Sequence, residues 1–92
     1  MEFEWDDEKA KSNLKKHGVR FSEAVSIWLD EDALEIVDWE HSDSEERWIR
    51  LGFSRKARLL IVVFAERVDL ERIRVISART ATTSEFKHYY SR

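Results

Sequence analysis

The sequence predicts one α+β domain over residues 1–92, with two N-terminal helices, a four-stranded antiparallel sheet and one C-terminal helix. Three observations predict it. Apolar residues in the first third have helical spacing, their period changes toward two from residue 33 onward, and a capping sequence precedes the last apolar stretch. The chain has no proline and two glycines, so we find no linker and expect a single core.

The N-terminal helices follow from capping residues and apolar spacing. A short extended start at residues 3–5 precedes Asp6 and Asp7, both good N-cap residues, and the first helix is predicted over residues 8–17 because Gly18 supplies a stop. A second, shorter helix is predicted to open at Phe21 and Ser22 and to run through Trp28, with Ser22 as its cap.

Four strands are predicted where β-branched and aromatic residues become frequent. They span residues 33–40, 46–54, 59–66 and 72–78, joined by turns at 41–44, 55–57 and 67–71. The third is continuously apolar, as is typical of a central strand covered on both faces. Short turns between consecutive strands indicate a meander.

The C-terminal helix is predicted from the capping residues at its N-terminal end. Thr82 and Glu85 have the spacing of a capping box, and the helix continues through Tyr90. The apolar residues Phe86, Tyr89 and Tyr90 fall on one side of it.

Composition excludes several classes of protein. Without cysteine there is no disulfide framework, thiolate metal site or cysteine nucleophile, which suits a reducing cytoplasm. The longest apolar run, residues 59–65, is far shorter than the ~20 residues that span a bilayer, and the N-terminus lacks a signal-peptide pattern. Metal-ligand spacings and glycine-rich phosphate loops are also missing. We therefore expect a cytoplasmic protein with no cofactor, no bound metal and no membrane contact.

Charge is divided unevenly between the two halves of the chain. The net charge is -3, but residues 1–46 carry five Lys/Arg against fifteen Asp/Glu, and residues 47–92 carry eleven against four. One interpretation is a positive face for phosphates and a negative face elsewhere. The other is that the two halves pair their charges with each other in the fold.

Two strings are neither nucleotide nor metal motifs: KHGVRF at residues 16–21 and RVISARTAT at residues 74–82. Further matching residues are Trp5, Asp6, Lys9, Asn13, Ala24, Arg47, Gly52, Leu60, Val62, Val63, Arg67, Glu85 and Tyr89. With these residues the chain resembles the BrnT toxin family nearly from end to end.

The resemblance implies a RelE-like fold and the toxin half of a type II toxin–antitoxin pair. It also implies an endoribonuclease that cleaves RNA and arrests translation. The implied partner is a BrnA-type antitoxin, a ribbon-helix-helix DNA-binding protein that neutralises the toxin and represses the operon. Operator DNA would be contacted only through that antitoxin.

RNA can be cleaved without a metal if a base, an acid and cations act together on the ribose and the phosphate. Arg67 and Arg79, each at or just past a strand end, are predicted to stabilise the phosphate because a guanidinium can grip two oxygens. The alternative for both is surface ion pairing, with Asp69 or Glu85.

His17 is the first candidate for acid–base chemistry or phosphate binding, since a helix C-terminus attracts a cationic side chain. The alternative is a helix-terminal cap beside Gly18. Tyr89 is predicted to stack on a base or donate a proton, with a core aromatic residue as the alternative. Glu46 is a further candidate base, or else a solvated charge of the hairpin.

The remaining basic residues of the second half are predicted to hold the RNA backbone without reading its sequence. They are Arg47, Arg50, Arg55, Lys56, Arg58 and Arg74. Trp39 and Trp48 are predicted to face each other across the first hairpin, with base stacking as the alternative. Together with the activity that the resemblance implies, these candidates make an endoribonuclease the first hypothesis.

Two other functions stay open. In one, the basic half only docks an acidic or partly disordered partner segment, with no hydrolysis. In the other, the chain is a folded subunit that stabilises a DNA-binding repressor.

Overall fold

A computed structural model of the chain describes residues 1–41, 45–67, 69 and 71–91. Its strands are β1 (Glu2–Glu4), β2 (Leu34–Val37), β3 (Arg47–Phe53), β4 (Leu59–Arg67) and β5 (Arg72–Thr80), and its α-helices are α1 (Asp7–His17), α2 (Phe21–Ala24) and α3 (Thr83–Tyr90). Short 3-10 segments lie at Val25–Leu29 and Trp39–His41. The α+β class is confirmed.

The sheet has five strands in the order β1-β5-β4-β3-β2, and it is mixed because β1 runs parallel to β5. The prediction of a four-stranded antiparallel sheet is therefore wrong, because the sheet has a fifth strand, β1, and this strand is parallel to its neighbour. The extended start forms this edge strand because Phe3, opposite Ile73, packs its ring against Trp28 at 5.1 Å between centroids. Three residues are too few for a periodic pattern to reveal such pairing.

Helices α1 and α3 begin and end where the capping residues predict. The Asp6 carboxylate accepts hydrogen bonds from the backbone N–H groups of Glu8 (2.8 Å) and Lys9 (3.1 Å), and Gly18 is left-handed with φ 70°. The capping box that begins α3 is complete in both directions.

The second helix differs from its prediction. It forms one α-helical turn, α2, and tightens into a 3-10 segment that ends at Leu29. Its N-cap is Arg20, without a side-chain hydrogen bond, so Ser22 is not the cap. The buried side chains of Phe21, Ala24 and Ile27 set its position.

Strand β2 is shorter than predicted, because the chain turns into the 3-10 segment after Asp38. Trp48 lies opposite Val37, and Trp39 is 82% exposed, so the predicted cross-strand tryptophan pair is wrong. Parts of the predicted turns, residues 42–44, 68 and 70, lie outside the described residues.

The two faces of the sheet are covered differently. On the helical face, Leu60, Val62 and Val75 pack under α2 and its 3-10 extension. On the opposite face, which we call the open face, α3 contributes Tyr89 to a smaller cluster with Leu51. The arginine end of β3 on this face lies beyond that cluster. Most of the central strand β4 is buried, as its apolar run predicts, but Val63 on the open face is partly exposed.

Candidate functional site

Strand register places arginines on the open face in rows across β3, β4 and β5. Side chains alternate along each strand, so those paired directly across strands share a face. The rows are Arg47–Ala65–Arg74, Ile49–Val63–Ser77 and Leu51–Ile61–Arg79. A bulge in β5 at Ile76 interrupts the alternation opposite the Val63/Phe64 step. Arginines therefore border an apolar strip at two points.

A groove of about 460 Å³ lies over this strip. Its floor is formed by the apolar side chains of Ile49, Ile61, Val63 and Ile76. The polar residues that line it are His17, Asp38, Glu40, His41, Arg47, Ser77 and Arg79. They come from α1, the segment after β2, β3 and β5. Four separate parts of the chain thus converge on one opening.

Arg79 is held at the groove by Glu85 of α3. Its Nη1 and Nη2 atoms donate to the two carboxylate oxygens at 2.8 and 2.9 Å, and Nη1 also donates to the Thr80 carbonyl at 3.2 Å. The hydrogen bonds to Arg79 lower the pKa of Glu85 to about 2, and Glu85 raises the pKa of Arg79. Among the described residues, Glu85 and Thr80 take three of the five guanidinium donors. Two donors remain for a ligand.

His41 and Asp38 form a pair beside Arg47. The His41 Nδ1 atom lies 3.2 Å from both carboxylate oxygens of Asp38. The Asp38 backbone N–H donates to the Arg47 carbonyl at 2.7 Å, which ties this pair to β3. An imidazole is thereby placed on the groove wall.

His17 reaches the groove because Asn13 fastens the end of α1 to β5. The buried Asn13 side chain donates to the carbonyls of Ala78 (2.8 Å) and Val19 (2.9 Å) and accepts from the Ala78 N–H (3.0 Å). Its amide thus pairs with the backbone N–H and carbonyl groups at the edge of β5, beyond the end of β1, where a neighbouring strand would otherwise pair with them. The Asn13 amide therefore links the KHGVRF string, through Val19, to the RVISARTAT string, through Ala78.

Replacing Asn13 with alanine should lower the free energy of unfolding by about 2 kcal/mol, since it leaves both backbone groups of buried Ala78 unsatisfied. Urea unfolding followed by tryptophan fluorescence measures this. Ser12→Ala, on the exposed side of the same helix, is the control and should change stability by less than about 0.5 kcal/mol. Equal midpoints for both variants would contradict this role of Asn13.

The other predicted phosphate ligand, Arg67, lies far from Arg79. Ile61 is opposite Arg79 and six residues before Arg67, which puts the two guanidinium-bearing positions roughly 20 Å apart along β4. Arg67 pairs with Glu4 at 3.6 Å rather than with Asp69, and Arg74, on the same face, pairs with Glu45. The structure does not bring Arg67 and Arg79 into one cradle.

Three further candidates lie away from the groove. Arg50 is on the helical face, 5.1 Å from the Trp28 ring centroid and 2.6 Å from Glu35. Lys56 lies in the β3–β4 turn, at the far end of β3 from Arg47. Tyr89 is buried, and its hydroxyl group donates a hydrogen bond to Asp30 at 2.7 Å. It is therefore a core aromatic residue, which was the alternative to a role in RNA binding.

Sequence reasoning missed Asn13, Asp38 and His41 as site residues. Asn13 belongs to the residues that match the family, but nothing in the sequence indicates that its amide takes the place of a neighbouring strand. His41 and Asp38 have the spacing of one helical turn, but the predicted strand and turn separated them. Glu46, a candidate base, is exposed and does not line the groove.

Two further features concern metal ligands and helix length. Within residues 1–41, 45–67, 69 and 71–91, no three His, Asp or Glu side chains are grouped so that they could hold a metal ion. Across the same ranges, no helix has the length and apolarity needed to cross a membrane.

Comparison with known proteins agrees with this architecture. Residues 5–85 match the family described as the ribonuclease toxin, BrnT, of type II toxin–antitoxin systems. The crystal structure of the Brucella abortus ribonuclease toxin BrnT, at 1.1 Å resolution, is similar with a TM-score of 0.67 and 25% identity, covering 90% of this chain and 99% of that one. No curated protein sequence is significantly similar to the chain.

The fold and this match define the protein as a ribonuclease toxin of the type II toxin–antitoxin class. The chain belongs to the BrnT family. As a ribonuclease toxin of a type II system, it has RNA as its substrate and a protein antitoxin as its partner.

Proposed function

We propose that the groove on the open face is the active site at which this toxin cleaves RNA, without a bound metal ion. The observation that carries the proposal is the meeting of two arginines and two histidines from different segments over one apolar floor. Cations stabilise the charge that develops on a phosphate, and imidazoles transfer protons near neutral pH. Both requirements of metal-free phosphodiester cleavage are met within one opening.

Arg79 and Arg47 bind the scissile phosphate in this site. Arg79 is pre-oriented by Glu85, so little side-chain freedom is lost when its two remaining donors engage phosphate oxygens. His17, exposed at the end of α1, donates a proton to the leaving 5′-oxygen or binds the phosphate. The apolar floor lowers the local dielectric and strengthens these interactions.

The partner in this proposal is a BrnA-type antitoxin with a ribbon-helix-helix DNA-binding fold. It neutralises the toxin in the cytoplasm, and operator DNA is bound only through it. Free toxin cleaves cellular RNA and arrests translation. Membership of the BrnT family supports this assignment.

Incubation of the purified protein with a defined RNA tests the proposed reaction. We expect cleavage that persists in EDTA, products that end in 2′,3′-cyclic phosphate, and no cut where a single 2′-deoxynucleotide replaces the scissile ribose. A BrnA-type protein added in equimolar amount should stop the reaction. RNA left intact by the free toxin would instead favour the non-catalytic docking module.

A further inference from the structure

We propose that His41, oriented by Asp38, is the general base of the ribonuclease reaction. This inference rests on the proposed function of the groove, but it concerns a residue that neither the family motifs nor sequence reasoning assigns. His41 is the catalytic residue in this proposal, and Asp38 is its positioning residue.

The geometry of the pair fixes which nitrogen can act as a base. An ionised carboxylate only accepts hydrogen bonds, so Nδ1 at 3.2 Å from both Asp38 oxygens carries the imidazole proton. The other ring nitrogen, Nε2, then keeps its lone pair. The Asp38 side chain is 11% exposed, whereas the His41 side chain is 63% exposed. The carboxylate is thus fixed in the protein, and the imidazole is open to a substrate.

The position of His41 suits a base that works opposite an acid. His41 enters the groove from the segment between β2 and β3, and His17 enters it from the end of α1 beyond β5. Arg47 and Arg79 lie on the strands between these two segments. A phosphate held by the arginines would therefore have one imidazole toward each side.

The reaction balances with these groups alone. His41 Nε2 takes the proton from the ribose 2′-hydroxyl while the 2′-oxygen forms its bond to phosphorus. The bond from phosphorus to the 5′-oxygen breaks, and His17 gives that oxygen a proton. The products are a 2′,3′-cyclic phosphate and a 5′-hydroxyl, after which the two histidines exchange protons with water.

The charged and titratable groups that face His41 across the groove are Asp38 and Glu40 of its own segment, His17 of α1, Arg47 of β3 and Arg79 of β5. A base must be unprotonated and an acid protonated to act, so the cleavage rate of the parent protein should first rise and then fall with pH, and the acidic limb of this profile belongs to the base. Arginine side chains stay charged at every pH at which the reaction is measured, so they add no rise or fall to the plot of rate against pH.

His41→Ala tests the proposal against His88→Ala, a histidine on the exposed side of α3 that lies outside the groove. We expect His41→Ala to lower kcat by roughly 10² to 10⁴ and His88→Ala to leave it unchanged. Added imidazole should restore part of the lost rate, and the acidic limb should vanish from the pH profile. Asp38→Asn should lower kcat with KM unchanged.

Each outcome decides the question. Cleavage by His41→Ala at the parent rate would overturn the proposal. So would a loss that imidazole does not restore and that leaves the acidic limb in place, because such a loss marks a structural residue. If the parent itself cleaves no RNA, the proposed function fails first, and this inference fails with it.

Discussion

Replacement of Arg79 with alanine is expected to lower kcat for RNA cleavage by roughly 10² to 10³, the usual loss when a preorganised donor to a developing oxyanion is removed. Glu85 currently neutralises and orients this guanidinium through two hydrogen bonds. In the variant, its carboxylate would face the phosphate without its partner. Repulsion therefore adds to the lost stabilisation, and single-turnover cleavage of a short RNA measures the sum.

Three further variants serve as controls for the Arg79→Ala prediction. Arg79→Lys keeps the charge but cannot form the paired hydrogen bonds, so it should recover only part of the rate. Lys87→Ala removes the same charge from an exposed position of α3 and should leave the rate unchanged. Arg67→Ala separates two models of the site. A loss equal to that of Arg79→Ala would move the active site toward the far end of β4.

Most of the fold could be predicted because local signals and burial agree. Asp6, Gly18 and the Thr82–Glu85 box determine helix ends through bonds within a few residues, and the structure has all of them. The edge strand β1 could not be predicted in the same way. Its stability comes from the packing of Phe3 on Trp28, 25 residues later in the chain, and no local pattern records such a contact.

The residues of the candidate site could be predicted only where they lie on a helix or strand that the sequence itself predicts. His17, Arg47 and Arg79 meet at the groove because helix ends and strand register place them there. Asp38 and His41 join them only because β2 ends early and the chain coils into a 3-10 turn. Tyr89 also matches the family pattern, outside the two strings, but burial turns it toward Asp30.

The uneven charge of the two halves is explained mainly by pairing within the fold. In the part of the chain that the structure describes, five arginines of the second half have a carboxylate of the first half as their partner. They are Arg50, Arg58, Arg67, Arg72 and Arg74. Arg79 is instead paired with Glu85 of its own half, at the groove. The groove therefore holds guanidinium groups beside carboxylates, and phosphate binding there depends on their local arrangement rather than on the net charge of the chain.

Arg58→Met is expected to lower the free energy of unfolding by about 3 kcal/mol at pH 7, because it leaves a buried carboxylate without its cation. Glu23 is 1% exposed and is bound by Arg58 through Nε at 2.9 Å and through Nη2, with the Ser54 hydroxyl donating at 2.7 Å. Arg58 also donates to the Gly18 carbonyl. Arg72→Met, which removes a partly exposed pair with Glu4, is the matched control and should cost less than about 0.5 kcal/mol.

The pH dependence of that difference identifies its cause. The hydrogen bonds from Arg58 lower the pKa of Glu23 from its ordinary 4.5, so the pair stabilises the parent fully above pH 4.5 and less as the pH falls through the lowered value. Without Arg58, burial should raise the pKa of Glu23, and protonation then relieves the variant. Urea unfolding at pH 7 and pH 5 should show the deficit shrinking at the lower pH. A deficit that stays constant would mean that lost packing, not the buried charge, destabilises the variant.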